Sequence, residues 1–219
     1  MIGLFKKKKK NYPDFWADYE ASFQKPLPDK IDEIRFVVLD TETTGFDTIE
    51  DRILSIGALP LRGSTITVNQ AFEVYLYQHF YHAENVAVHG ILREDTKPRI
   101  TELEALMQFL SFIGNSPLVA HHAGFDRNML NEALKRHGMP KLKNKMLDTS
   151  VLYRETLISS PLLQKKDHHS LDELADKFDI SKKDRHTALG DTYITGIAFL
   201  KIMEKLKSKR KFSIQRFLR

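Results

Sequence analysis

Hydrophobic positions change their spacing about halfway along the chain. Residues 34–40 form a short apolar run with β-branched members, and residues 52–61 and 64–77 show partial alternation of apolar and polar positions. Such runs predict β-strands, and the Arg-Gly pair at 62–63 predicts a hairpin turn between the last two. Three strands in succession predict an antiparallel meander.

The second half instead carries the spacing of amphipathic helices, interrupted by short apolar strands. The predicted strands are 118–120 and 146–148, and the predicted helices are 101–113, 124–137, 149–153, 170–178 and 187–207. Thr101 and Ser170 are each followed three residues later by Glu, which predicts two capping boxes. Strands first, and then alternating strand and helix, predict an α/β protein with a mixed sheet and helices packed on it.

Residues 1–33 form a predicted N-terminal extension that is basic at its start and aromatic after it. Five lysines occupy 6–10, and aromatic residues recur from Tyr12 to Phe23 at roughly helical spacing. This spacing predicts a helix that packs on the body or on a partner. We therefore divide the chain into this extension, a main domain at 34–207 and a basic C-terminal tail at 208–219.

Composition is that of an ordinary globular protein and is compatible with a reducing compartment. The 219 residues are 42% apolar and include no cysteine, which excludes disulfides and thiolate chemistry. No apolar run approaches the roughly 18–20 residues that span a bilayer. The N-terminal lysines follow a short apolar piece, which is not the order of a secretory signal. We therefore expect a cytoplasmic protein that works without membrane contact.

The net charge of +5 is unevenly distributed. Residues 1–10 carry +5 and residues 201–219 carry +7, which leaves −7 for residues 11–200. An acidic body that handles a polyanion would need metal ions at its site, with the basic tails supplying non-specific attraction. The alternative is that both tails are simply solvated charge.

Two carboxylates stand at the end of the first predicted strand. Asp40 and Glu42 stand two residues apart, and because strand side chains alternate between faces, both point the same way. Two acids on one face repel each other, and a hard divalent cation that takes carboxylate oxygens would relieve the repulsion. The alternative is a solvated turn closed by Gly45. This segment alone leaves both interpretations open.

Three further candidate residues occur at or just before the start of predicted helices. Asp126 follows the strand at 118–120, and Asp191 lies about one turn into the last helix, five residues after His186. Each has an ordinary alternative, since acids are favoured in the first turn of a helix and most single histidines are surface or capping groups. Together, four acids at one sheet edge suit two Mg²⁺ or Mn²⁺ ions about 4 Å apart, with the histidine as proton acceptor.

In order and spacing, these residues resemble the three motifs of the DEDDh (DnaQ-like) 3′→5′ exonucleases. The matching strings are Asp-Thr-Glu-Thr-Thr-Gly at 40–45, Val-Ala-His-x-Ala-x-Phe-Asp at 119–126 and His-x-Ala-x-x-Asp at 186–191. The resemblance covers about residues 34–203. It implies that the main domain is an exonuclease domain of ribonuclease H-like fold, with a mixed five-stranded sheet flanked by helices.

The resemblance also implies a chemical role for each motif residue. Asp40, Glu42 and Asp191 would hold a first divalent ion, either Mg²⁺ or Mn²⁺. Asp40 would bridge to a second ion, which Asp126 would help to hold through water. His186 would be the general base, and the product would be a 5′-mononucleotide cut from the 3′ end.

The same resemblance implies contacts with the terminal nucleotide. Backbone and wedge contacts fall on Thr43, Thr44 and Gly45, and a segment near the terminal base or sugar corresponds to His89 and the Gly-Ile pair after it. For His89 the alternative is a cap at a loop-to-helix junction. Many members have Asn where this chain has His122, so we expect altered substrate positioning without loss of catalysis.

The motifs leave the substrate and the biological role open. The string at 40–45 is closer to proofreading partners of replicative polymerases than to oligoribonucleases. We therefore expect the 3′ ends of single-stranded DNA as the substrate, and a polymerase or repair protein as the partner. The short tail at 208–219 offers little room for a polymerase-binding segment, which makes a free-standing repair or RNA-trimming exonuclease the alternative. A non-catalytic nucleic-acid-binding module is the alternative outside this class, although no motif acid or histidine is lost.

Overall fold

One mixed β-sheet runs through the part of the chain that the computed structural model describes, which is residues 12–78, 97–157, 168–209 and 213–218. Its strands are β1 (Arg35–Thr43), β2 (Ile53–Arg62), β3 (Thr65–Ile66), β4 (Phe72–Leu76), β5 (Arg99–Ile100), β6 (Leu118–Ala120) and β7 (Met146–Asp148). Across the sheet the order is β5-β4-β2-β1-β6-β7, with β3 also paired to β2.

Five of these strands, those of three or more residues, form the predicted mixed sheet. β2 pairs antiparallel with β1 and with β4, whereas β6 pairs parallel with β1 and with β7. The two-residue strands β3 and β5 add short pairings at the edges of β2 and β4. The prediction of a mixed sheet that begins with antiparallel pairs is confirmed.

The prediction of a single strand at 64–77 is wrong. The chain pairs with β2 for two residues in β3, and then turns through a 3₁₀ helix at Val68–Gln70 before β4 begins. β2 is ten residues long, and β3 and β4 share its outer edge, one at its end and one in its middle. Val68 is exposed in this turn, so its apolar side chain does not mark a buried strand position.

Helices pack on both faces of the sheet. Within the described residues they are α1 (Asp14–Ser22), α2 (Glu102–Ile113), α3 (Gly124–Arg136), α4 (Thr149–Thr156), α5 (Leu171–Phe178), α6 (Ala188–Lys207) and α7 (Gln215–Leu218). None of these helices is both long enough and apolar enough to cross a bilayer.

Alternate residues of β1 divide the core into two layers. Val37 and Leu39 pack in the layer that contains α1, α2 and α3, whereas Phe36 and Val38 pack in the layer of α4, α5 and α6. Val37, Val38 and Leu39 are fully buried. The alternation follows from the two-residue period of a strand, and it confirms that β1 is buried on both faces.

Helix starts are capped where the sequence predicts. Thr101 accepts a hydrogen bond from the main-chain N–H of Glu104 while the Glu104 carboxylate accepts one from Thr101, and Ser170 and Glu173 do the same at α5. Both capping boxes are confirmed. Thr187 is the N-cap of α6, one residue before the helix proper.

The aromatic part of the predicted extension packs on the body. Trp16 and Tyr19 of α1 are 1% and 3% exposed and belong to the same core layer as α2. The Tyr19 hydroxyl donates to Asn144 Oδ1 at 2.6 Å and accepts from the Lys143 N–H at 2.8 Å. Asn144 in turn donates to the main chain at the end of α2. The boundaries at 33 and 208 remain predictions.

We expect Tyr19→Phe to lower the free energy of unfolding by about 1–3 kcal/mol, because it leaves buried polar partners unsatisfied. Urea unfolding curves of the full chain measure this loss. The matched control is Tyr193→Phe, which removes the same hydroxyl from a tyrosine that is 44% exposed on α6. Equal stability of the two variants would show that the link between α1 and Asn144 contributes nothing.

Candidate active site

The end of β1 carries two carboxylates on the face of the sheet that α6 covers. Phe36 packs against Phe199 of α6 with ring centroids 5.4 Å apart, and alternation continues this face to Asp40 and Glu42. Both acids are half-buried. The structure therefore places the two side chains together, as the spacing predicts.

Helix α6 brings the third carboxylate to the same place. Thr187 accepts a hydrogen bond from the Gly190 N–H at 3.0 Å and so fixes the start of the helix. Asp191 lies in the first turn and is 5% exposed. An acid is favoured there by the helix dipole.

A close approach between main chains holds α6 against the sheet. Gly57 of β2 stands opposite Asp40 in the strand register. A Cβ atom at Gly57 would overlap the main chain of Ala188, so only glycine allows the first turn of α6 to lie this near. The Thr192 hydroxyl also donates to the Gly57 carbonyl oxygen at 2.9 Å.

Three carboxylates therefore meet at one end of the sheet. One ligand oxygen from each of Asp40, Glu42 and Asp191 lies within 4.8 Å of the others. Hard divalent ions prefer such oxygen donors, so this donor set fits a divalent metal ion.

Burial raises the pKa of all three carboxyl groups, and repulsion from neighbouring acids raises the pKa of Asp40 and of Glu42 further. For Glu42 the pKa rises to about 7, with the charge of Asp191 as the second cause. For Asp40 the pKa is raised well above its ordinary value, and the charge of Asp126 follows burial as the cause. Arg185 opposes the rise in the pKa of Asp191. The cluster thus stabilises bound cations, whether protons or metal ions.

Asp126 reaches the same sheet edge from the opposite helical layer. It lies in the first turn of α3, is 3% exposed and accepts a hydrogen bond from the Thr41 hydroxyl at 2.8 Å. Thr41 stands between Asp40 and Glu42 and points to the other face of β1. Burial raises the pKa of Asp126, and the bond from Thr41 opposes the rise. Asp126 is close enough to influence Asp40 but is not part of the group of three.

The loop before α6 is attached to this cluster. His186 has an exposed side chain and a φ of 66°, and its N–H donates to Asp191 Oδ1 at 3.3 Å. The guanidinium of Arg185 donates to Asp191 Oδ2, and its Nε donates to Asp172 Oδ1 at 2.9 Å. The loop therefore binds Asp191 through two adjacent residues, and the imidazole of His186 lies at the surface.

The predicted nucleotide-binding turn is held by its own side chains. The Thr43 hydroxyl donates to the Gly45 carbonyl oxygen at 2.7 Å. The buried Thr44 hydroxyl donates to Asp51 Oδ1 at 2.7 Å and accepts from the Arg52 N–H at 3.0 Å. Both hydroxyls are therefore engaged, and the Thr44 N–H also donates to the Arg52 carbonyl oxygen at 2.9 Å, so the turn has a fixed conformation.

Two predicted histidines have different outcomes. His89 lies outside the described residues.

His122 has an exposed ring and a φ of 55°, and its N–H donates to Asp148 Oδ1 at 3.2 Å. Asn and His are both enriched in this left-handed region. The backbone conformation by itself therefore accounts for an exchange between Asn and His at this position.

Sequence reasoning missed three residues that shape the site. Gly57 did carry a signal, because a glycine inside a strand often marks a close backbone approach. Thr41 and Arg185 carried no signal, since their partners Asp126 and Asp172 are distant in sequence or on another helix.

Comparison with known proteins assigns the chain to a family. The RNase T model, described as exonuclease, matches residues 37–199. The chain belongs to this exonuclease family. The match runs from β1 into α6, and therefore includes Asp40, Glu42, Asp126 and Asp191.

The chain has relatives named as DNA polymerase III proteins. The DNA polymerase III subunit epsilon of Aquifex aeolicus is 31% identical over 172 residues, which are 78% of this chain and 81% of that relative. A PolC-type DNA polymerase III of Oceanobacillus iheyensis is 30% identical over 178 residues, which are 81% of this chain and 12% of that polymerase. The chain thus spans only a small part of the PolC-type relatives.

A solved structure shares the fold of the exonuclease. Exonuclease X, in complex with 5′ overhanging duplex DNA, aligns with a TM-score of 0.62 at 18% identity. The alignment covers 84% of this chain and 97% of that chain. This likeness confirms the predicted ribonuclease H-like fold.

In EDTA, we expect the free energy of unfolding of the exonuclease to fall as the pH rises from about 4.5 to about 7. The pKa of Glu42 is about 7 in the folded chain against an ordinary 4.5. The folded chain therefore holds this proton more tightly, and the resulting stability is complete below pH 4.5 and lost as the pH rises through 7. Urea unfolding curves across this range measure the slope.

Glu42→Gln is expected to reduce that slope, because it removes the titrating group. Glu50→Gln, an exposed acid in the loop between β1 and β2, serves as the control and should keep it. An unchanged slope in Glu42→Gln would show that the carboxyl group of Glu42 does not cause the pH dependence of stability.

We expect Gly57→Ala to lower the free energy of unfolding by about 1–3 kcal/mol, because the added methyl overlaps the start of α6. A displacement of Asp191 by about 1 Å would also lower nuclease activity by roughly 10²-fold. Gly124→Ala is the control, since a Cβ there meets nothing within 4 Å and alanine favours a helix. If Gly57→Ala keeps wild-type stability and activity, the main chain of α6 does not lie as close to Gly57 as the structure shows.

Proposed function

We propose that this exonuclease removes nucleotides from the 3′ ends of nucleic acids and releases 5′-mononucleotides, with DNA as the substrate class. The observation that carries the proposal is the meeting of Asp40, Glu42 and Asp191 at one end of the sheet, within 4.8 Å of one another. The order of the motif residues and the family membership support the direction of cleavage.

Two divalent ions, Mg²⁺ or Mn²⁺, are the proposed cofactors. Asp40, Glu42 and Asp191 would hold the first ion. Asp40 and Asp126 would hold the second, Asp126 through water. When bound, such ions supply Lewis acidity and make water a stronger nucleophile near neutral pH. The raised pKa values of these carboxyl groups support the proposal, because a cluster of repelling acids gains most from bound cations.

His186 is the proposed general base. In this reaction the oxygen of a water molecule bonds to the phosphorus of the terminal nucleotide, and His186 takes one proton from that water. The bond between phosphorus and the 3′-oxygen breaks, and that oxygen accepts a proton and becomes the new 3′ end. The hydrogen bond from the His186 N–H to Asp191 keeps this residue beside the carboxylates.

The terminal nucleotide is proposed to contact the turn after β1. The main chain of Thr43, Thr44 and Gly45 would contact its sugar and phosphate, with His89 near its base or sugar. Phe46, the next residue, is 87% exposed. An exposed aromatic ring beside a nuclease site is suited to stacking on a base.

The proposed setting is proofreading or repair of single-stranded DNA ends, with a DNA polymerase or a repair protein as partner. The relatives named above are polymerase III proteins, and the structural neighbour was solved with overhanging duplex DNA. Both observations favour DNA over RNA, which makes RNA trimming the alternative to be tested.

We expect Asp40→Asn to abolish nucleotide release from a 5′-labelled single-stranded DNA in Mg²⁺, because it removes the carboxylate proposed to bridge both ions. EDTA should abolish wild-type activity for the same reason. The control is Asp32→Asn, an acid paired with Lys207 at the surface. Activity that survives either Asp40→Asn or EDTA would overturn the proposal.

The substrate is tested in parallel with single-stranded DNA, single-stranded RNA, and duplexes with matched and mismatched 3′ ends, each in Mg²⁺ and in Mn²⁺. Proofreading would be supported if nucleotides are released faster from DNA than from RNA, and faster from the mismatched duplex than from the matched one. Faster release from RNA would support the trimming alternative.

A further inference from the structure

Arg185 places a positive charge inside the carboxylate cluster. Its guanidinium donates to Oδ2 of Asp191, and its side chain is 19% exposed while that of Asp191 is 8% exposed. Its charge also opposes the rise in the pKa of Asp40 and of Glu42. The guanidinium therefore acts on all three carboxylates of the proposed first metal site.

Both oxygens of Asp191 have protein partners. Oδ2 accepts from Arg185, and Oδ1 accepts from the His186 N–H. A divalent ion held by Asp40, Glu42 and Asp191 would lie beside the guanidinium. Like charges repel strongly where water is largely excluded. Binding of the ion to Asp191 therefore weakens the hydrogen bond between the guanidinium and Asp191.

Asp172 of α5 gives Arg185 a second carboxylate. Arg185 Nε donates to Asp172 Oδ1 at 2.9 Å, and its Nη2 donates to Asp172 Oδ2 at 3.3 Å. The Asp172 side chain is 45% exposed. These two hydrogen bonds do not involve the Nη1 that contacts Asp191, so they can persist after that contact breaks.

We propose that Arg185 is a positioning residue that holds Asp191 while the metal ion is absent. When the ion binds, Arg185 releases Asp191 and rotates away while it stays hydrogen-bonded to Asp172. This inference rests on the proposed metal-dependent function. Without the ion, the guanidinium offsets the repulsion among the buried acids. With the ion, Arg185 is retained by Asp172, and the His186 N–H remains as the contact between this loop and Asp191.

The test measures Mn²⁺ affinity of the full chain at pH 8.0 by calorimetry, and the melting temperature with and without Mn²⁺. Arg185→Gln should lower the melting temperature in EDTA, because the acids lose their internal cation. It should also lower the Kd for Mn²⁺ by roughly tenfold or more, the size of one charge-assisted hydrogen bond. Lys182→Gln is the matched control, because Lys182 is a cation of the same loop that pairs instead with Asp176 of α5.

Asp172→Asn gives the opposite expectation. With its second carboxylate gone, Arg185 stays on Asp191, so the Kd for Mn²⁺ should rise. In the Arg185→Gln background, the same Asp172→Asn change should have little effect. Arg185→Lys, which keeps the charge but lacks the planar fork that holds two carboxylates at once, should give an intermediate Kd and provides a second variant if Arg185→Gln folds poorly.

Three results would overturn the inference. An unchanged or higher Kd in Arg185→Gln would show that Arg185 does not compete with the ion. An equal effect of Asp172→Asn in both backgrounds would show that only long-range charge acts. Absence of Mn²⁺ binding by the wild-type chain would overturn the proposed metal site as well, whereas wild-type binding with no difference between variants overturns this inference alone.

Discussion

The contact between the first turn of α6 and the main chain of β2 is the constraint on which the site depends. It exists because Gly57 has no side chain, and it lies opposite Asp40 in the strand register. With the first turn of α6 at this place, Asp191 lies beside the two carboxylates at the end of the neighbouring strand β1. The packed layers on both faces of the sheet keep this approach in place, since a dense core resists small displacements.

The site gathers charges that a stable core would normally keep apart. Three carboxylates meet, and a fourth is buried nearby, so burial and repulsion raise their pKa values. Hydrogen bonds reduce the free-energy cost of burying these carboxylates. Asp126 accepts one from the Thr41 hydroxyl, and Asp191 accepts one from the Arg185 guanidinium and one from the His186 N–H. Conflicts of this kind, left in an otherwise consistent fold, are typical of functional sites.

The folded unit is larger than the region shared with the family. The family match begins at residue 37, yet Trp16 and Tyr19 of α1 are as buried as the centre of the sheet. Tyr19 ties α1 to the segment before β7 through Asn144. The described part of the N-terminal extension is therefore a structural component of this chain, packed on the side of the sheet away from α6.

The sequence by itself determined the elements and the chemical groups. Strand alternation placed Asp40 and Glu42 on one face, residue spacing gave the helices, and Thr101 and Ser170 marked their starts, because these signals act between residues within one turn or one strand. The tertiary structure alone decided the break at Val68, the arrival of Asp126 beside Thr41 from 85 residues away, the approach at Gly57 and the double pairing of Arg185. Each of these depends on which distant segments pack together, and no local pattern encodes that choice.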